Sequence, residues 1–170
     1  MDLCDDVVSL RPWREEDADA VYAACQDPEI QHWIPVMPRP YTRADARAFV
    51  AGELDLGPHQ FAITHEEQVV GSIGMRVDDN KTARIGYWCT REMRTQGITT
   101  RALRALSRYA LGELAVDRLE LITDPDNVAS QRVATNVGFR REGVLRSHLR
   151  HPDGRRRDSV MFSLLPGELR

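Results

Sequence analysis

The chain has 170 residues, 42% of them hydrophobic and 29% charged, with a formal net charge of −3. These values fit one globular domain over residues 1–170, able to bury a core without disulfides or metals, and they exclude a broad nucleic-acid footprint. No apolar run approaches the roughly 20 residues of a membrane helix. The acidic start Met1-Asp2-Leu3-Cys4-Asp5-Asp6 lacks the basic and apolar regions of a signal peptide, so a cytoplasmic location is expected.

In chain order, residues 7–11 read as a strand that Pro12 ends. Ala18, Val21, Tyr22 and Cys25 recur at helical spacing within 15–25, and Asp27-Pro28 stops that helix. Pro35, Pro38 and Pro40 make a rigid loop around Trp33. Thr42-x-x-Asp45 resembles a capping box and opens a helix to about Gly52. Residues 60–64 and 69–77 are β-rich runs joined by the polar turn 65–68, hence a hairpin. A turn over 78–82 leads into a strand at 84–89. The period then changes. Leu103, Leu106, Ala110 and Leu111 mark one face of an amphipathic helix that begins near Gly97. A short strand at 119–123 precedes a helix at 128–137, and Gly138 suits its left-handed C-terminal cap. Two last strands, 139 to about 149 and 160–165, join across His151-Pro152-Asp153-Gly154. Seven strands and four helices in this order imply a mixed α/β fold on one central sheet.

The three cysteines, Cys4, Cys25 and Cys89, are scattered and lack metal-ligand spacing, so they read as free thiols and no metal is expected. Arg94-Thr95-Gln96-Gly97-Ile98-Thr99 lies between a strand and a helix start. The leading N–H groups of a helix have no internal partner and carry partial positive charge, which suits a pyrophosphate. Gly97 lets the backbone approach such a ligand, and Arg94 adds a full charge. The plain alternative is an ordinary turn.

Four ordered blocks resemble the GNAT superfamily of N-acetyltransferases. Arg94 and Gly97 match its pyrophosphate loop, although Thr99 stands where the family has a smaller residue. Ile85-Gly86-Tyr87-Trp88 is similar to its fourth strand. Asp126-Asn127-Val128-Ala129-Ser130 with Asn136-Val137-Gly138-Phe139 resembles its Asn-x-x-Ser and Asn-x-Gly-Phe signature. Arg157-Asp158-Ser159-Val160-Met161-Phe162-Ser163-Leu164 looks like the last strand of its RimJ/RimL branch, which acetylates ribosomal-protein N-termini. The opening Leu10-Arg11-Pro12-Trp13 through Asp17-Ala18 extends the likeness over nearly the whole chain.

The resemblance implies a mostly antiparallel sheet splayed between the fourth and fifth strands, with acetyl-CoA as cosubstrate. Its pantetheine arm would lie along Trp88, Cys89 and Thr90, and its pyrophosphate on Arg94, Thr95, Gln96, Gly97, Ile98 and Thr99. Asn127 and Ser130 would meet the arm. It implies direct attack by the amine in a ternary complex, a backbone N–H near Cys89 as oxyanion donor, and Ser130 as proton donor to the departing thiolate. Trp33, the 35–41 loop with Tyr41, and the C-terminal hairpin would form the acceptor groove. Asn127 also suits a helix N-cap.

The general base is where this chain departs from the pattern. Leu149 occupies the position of the branch's glutamate. His148 is adjacent, but strand alternation points it to the opposite face. Glu92, Asp158 and an ordered water relay stay open, and without a carboxylate at 149 an α-amine needs least help. The Cys89 side chain reads as a small strand residue, and Arg155-Arg156-Arg157 as a solvated turn or a substrate contact. The leading expectation is an N-terminal acetyltransferase, possible as a homodimer. Two alternatives stand beside it: acetylation of a small amine such as a polyamine or aminoglycoside, and a catalytically weak acyl-CoA-binding module.

Overall fold

The computed structural model describes residues 3–4, 6–151 and 153–170. Met1, Asp2, Asp5 and Pro152, named above in the acidic start and the final turn, lie outside them. The strands are β1 (Leu3–Cys4), β2 (Ser9–Pro12), β3 (His59–His65), β4 (Gln68–Val77), β5 (Thr82–Cys89), β6 (Arg118–Thr123), β7 (Arg140–Arg150) and β8 (Arg156–Leu164). The helices are α1 (Ala18–Ala24), α2 (Pro28–Trp33), α3 (Arg43–Val50), α4 (Ile98–Gly112) and α5 (Val128–Val137).

One open sheet runs in the order β1-β2-β3-β4-β5-β6-β8-β7. Among the described residues only β5 and β6 pair in parallel, and their ladder runs from Thr82↔Arg118 to Ile85↔Leu121. Beyond Ile85, β5 continues to Cys89 against β4 alone. This is the expected splay. The two-residue β1 brings the strands among the described residues to eight, so the splay falls between β5 and β6.

The described residues also hold one helix more than expected. Asp27-Pro28 ends α1 but also starts α2. Pro28 sits in the first turn, where a missing N–H costs nothing, and the Asp27 carboxylate accepts from the Glu29 N–H at 2.9 Å. The capping box at Thr42 and Asp45 forms as the spacing predicts.

Two apolar layers sandwich the sheet. α4 buries Ile98, Ala102, Leu103, Leu106 and Ala110 along one stripe against the inner face of β2–β6, with Val137 of α5 and Phe139 beside it. Full burial of Leu103 or Leu106 stabilises by about 1.5–3 kcal/mol. On the other face, Val21, Cys25, Ile30, Tyr41 and Ala46 from α1–α3 and their loops pack with Trp88. The opening pattern Arg11…Asp17 becomes a part-buried pair. Both guanidinium arms of Arg11 donate to Asp17, at 2.7 and 2.8 Å, and anchor the turn before α1 to β2.

Candidate active site

The segment between β5 and α4 has the geometry of an anion cradle. Gly97 is the N-cap of α4 at φ +79°, and no side chain caps the helix. The first i→i−4 bond is Arg101 N–H to Gly97 O, so the amides of the leading turn have no partner within the helix. Thr95 also has positive φ, +65°, which is uncommon for a β-branched residue. Left-handed residues alternating with ordinary ones turn successive N–H groups toward one concavity. A Cβ built on Gly97 meets nothing within 4 Å, so the space before the loop is open. Gln96 braces the loop by donating to Glu92 O at 2.7 Å.

The Arg94 side chain turns the other way. Its guanidinium donates to Asp27 at 2.5 Å and to Glu29 at 2.6 Å, so its charge is balanced by the start of α2. The expected free charge at the loop is therefore corrected: backbone N–H groups and the helix start are what this loop presents.

At the end of β5, Cys89 lies opposite Gly71, and the Thr90 N–H donates to Val70 O at 2.9 Å. Antiparallel alternation then turns the Cys89 N–H away from β4, toward the splay. The Thr90 amide is spent on the sheet, and its carbonyl accepts from the Met93 N–H. Among Trp88, Cys89 and Thr90, the amide facing the splay is that of Cys89. The Cys89 thiol points into the α4 layer and hydrogen-bonds with Thr99, and burial raises its pKa, which makes it a poor nucleophile.

α5 reaches the same point from the other side. Asn127 caps it by accepting from the Ser130 N–H at 3.0 Å. The Ser130 hydroxyl lies 2.9 Å from the Tyr87 hydroxyl. Burial pushes Tyr87 up to about 12, with the Ser130 hydrogen bond opposing it, so Tyr87 keeps its proton. Tyr87 is a site residue the sequence reading missed. It stood inside the quoted Ile85-Gly86-Tyr87-Trp88 block, but nothing local signals a partner 43 residues away.

A cleft of about 640 Å³ opens on the α1–α3 face and reaches Tyr87, Trp88 and Ser130 through the splay. Residues 94–99 are not among its walls. Trp33 lines the cleft as expected. Tyr41 does not: it is 8% exposed, sits in the α1–α3 core and hydrogen-bonds the Cys25 thiol, which burial pushes up to about 11.

His148 requires a further correction. Leu145 pairs with Ser159 and Leu149 with Arg157, so β7 spends four steps where β8 spends two. The bulge places Ser147 at φ +53°. Asp158 holds it by accepting the Ser147 N–H at 2.7 Å, which is the local role open to it from sequence. Alternation fails across a bulge, and both His148 and Leu149 line the cleft. His148 Nδ1 lies 3.1 Å from the buried Ser159 hydroxyl, leaving Nε2 as its other ring nitrogen. Glu92 is exposed in the turn after β5, outside the cleft walls. Of the arginine run, Arg157 turns inward to Asp124 at 2.9 Å, while Arg155 pairs with Asp153 and Arg156 bonds Ser147.

An open mixed sheet with an anion cradle after β5 and a cleft that reaches its splay is the arrangement of an acyl-group transferase. The chain belongs to the GNAT acetyltransferase family: the model of the acetyltransferase (GNAT) domain matches residues 8–140. An uncharacterized N-acetyltransferase of Bacillus licheniformis, p20, is 31% identical over 170 residues, covering 95% of this chain and 94% of its own length. The ribosomal-protein-serine acetyltransferase of Escherichia coli is 36% identical over 110 residues, 60% of each chain. Mycobacterium smegmatis RimJ in complex with CoA-disulfide matches with a TM-score of 0.83 at 27% identity, over 95% of this chain and 83% of that one. The chain is thus an N-acetyltransferase of RimJ/RimL-like type. No described helix is long and apolar enough to cross a membrane.

Proposed function

We propose that the chain acetylates protein N-terminal α-amines, with acetyl-CoA as acyl donor and direct attack in a ternary complex. The observation that carries this reading is the convergence of the Cys89 N–H, the Ser130 hydroxyl and the cleft at the splay, with the start of α4 joined to Cys89 through Thr99. The open, uncapped start of α4 fits a pyrophosphate, the CoA-disulfide of the RimJ structure supports a CoA-borne acyl donor, and the name of the E. coli relative supports a protein acceptor.

Acetyl-CoA would supply the thioester, with its pyrophosphate on the amides of 95–99. The remaining chemistry falls to the chain. The cleft holds the amine against the carbonyl, and such positioning can lower a barrier by about 7–11 kcal/mol. The Cys89 N–H stabilises the oxygen as it gains negative charge. The Ser130 hydroxyl passes its proton to the sulfur as the C–S bond breaks and regains one from the Tyr87 hydroxyl 2.9 Å away, which solvent in the cleft then reprotonates. His148 Nε2 accepts the proton that the amine loses, directly or through one water. An α-amine, with a pKa of about 7.7–8.0, asks less of this base than a lysine at about 10.4.

The test is two-substrate kinetics with acetyl-CoA and N-terminal peptides, followed by release of the CoA thiol. Intersecting double-reciprocal lines and an active Cys89→Ala enzyme are expected. Parallel lines with a dead Cys89→Ala enzyme would replace direct attack by an acyl-cysteine route.

A further inference from the structure

Resting on the acyl-transfer reading above, we infer that the acceptor is an amine beside an apolar side chain, which sits over Gly86, and that polycations are rejected. The cleft contains three acids, Asp55, Asp78 and Asp124, and two of them are paired with arginines. Asp124 accepts from Arg157 at 2.9 Å and from the Asp126 N–H at 2.8 Å. Asp55 pairs with Arg76. Asp78 Oδ1 accepts the N–H groups of Asn80 and Thr82 at 2.9 and 3.0 Å. Asp78 thus has no arginine partner among the described residues, while Arg84, which lines the cleft with Arg76 and Arg157, is balanced by Glu120 at 3.2 Å. A polyamine or an aminoglycoside would meet three guanidinium groups and one carboxylate without an arginine partner, too little to hold several positive charges, and like-charge contacts of this kind select against a ligand.

What the cleft does offer is apolar surface around a bare floor. Trp33, Phe49, Leu56 and Leu149 line it, and Val36 stands 76% exposed at its rim. Exposed apolar groups gathered at a site mark what it binds. On the floor, Gly74 of β4 pairs with Gly86 of β5. Gln60 lies across Gly74, with its Oε1 only 2.0 Å from where a Cβ would stand. A Cβ at Gly86 meets nothing within 4 Å, and its φ is not in the left-handed region. Gly86 is therefore the open part of the floor, two residues from Trp88 and one from Tyr87. A side chain on the acceptor's first residue can lie there while its amine reaches the splay. The same openness means that a side chain at 86 is tolerated by the fold and occupies the acceptor's place.

The experiment compares peptides beginning with Leu, Gly or Asp, together with spermidine and kanamycin, by thiol release. Wild type, Gly86→Leu and Leu56→Asp are assayed, with the acetyl-CoA Kd measured by calorimetry for each. Leu56 is 39% exposed, so its substitution spares the core and serves should Gly86→Leu fail to fold. The wild type is expected to favour the Leu-first over the Gly-first peptide by at least about tenfold in kcat/KM, the scale on which a hydrophobic pocket discriminates. Polycations are expected to be the poorest acceptors. Both variants should lose most of the Leu preference with the acetyl-CoA Kd unchanged. A preferred polycation, or a Leu preference intact in both variants, would overturn the inference while leaving acyl transfer in place. Absence of acetyl-CoA binding in the wild type would instead remove the acyl-transfer reading, and the inference with it.

Discussion

Gly97→Ala isolates the backbone conformation of the cradle. The new methyl meets nothing within 4 Å, so no clash enters the balance. What remains is the cost of φ +79° for an L-residue, about 1–2 kcal/mol, against about 0.4–1 kcal/mol gained from a less flexible unfolded chain. The strain must appear somewhere if the complex needs this conformation. When the free loop stays left-handed, folding stability falls by the difference, at most about 1.6 kcal/mol, and acetyl-CoA affinity is unchanged. When the free loop relaxes, stability rises slightly and affinity falls about 5- to 30-fold, since 1.4 kcal/mol is tenfold. Denaturant melts without ligand and calorimetry with acetyl-CoA measure the two parts. A variant that gains about 0.4–1 kcal/mol and binds as tightly as wild type would show that the complex makes no use of the left-handed Gly97, and the cradle argument would fall.

Ser130→Ala should lower kcat by about 10²–10⁴ with little change in the acetyl-CoA Kd, because its proton is needed only as the thiolate leaves. Equal falls in kcat and binding would recast it as a structural residue. His148→Ala should make the acidic limb of kcat/KM follow the pKa of each amine tested. A limb that stays fixed across amines in this variant would place the base elsewhere. For stability against pH, Glu142 is held down at about 2 by its hydrogen bonds with Arg118, at 2.6 and 2.9 Å, and with Ser163. A depressed carboxylate stabilises the fold above its unfolded value, near 4.5, and loses that contribution as pH falls from there toward 2. Glu142→Gln should flatten the melting temperature across that window, and an unchanged acid slope would contradict the pairing.

Much of the chain declares itself locally. The cap at Thr42, the hairpin around 65–68, the stripe on α4 and the Gly138 cap each depend on residues within a few positions of one another, so spacing alone determined them. The cradle was legible for the same reason, because a helix start and a left-handed glycine are short-range features. Asp27-Pro28 shows the limit of such signals: a proline ends one helix and begins the next equally well, and the Asp27 cap decides between them. The catalytic face needed the tertiary structure. Tyr87 meets Ser130 across the splay, Arg94 is claimed by α2, and Tyr41 sinks toward Cys25 while Trp33 stays in the cleft; each depends on partners far away in sequence. The bulge in β7 is the sharpest case. Strand alternation places residues 148 and 149 on opposite faces, and only pairing with β8, where four steps meet two, brings His148 into the cleft beside Leu149.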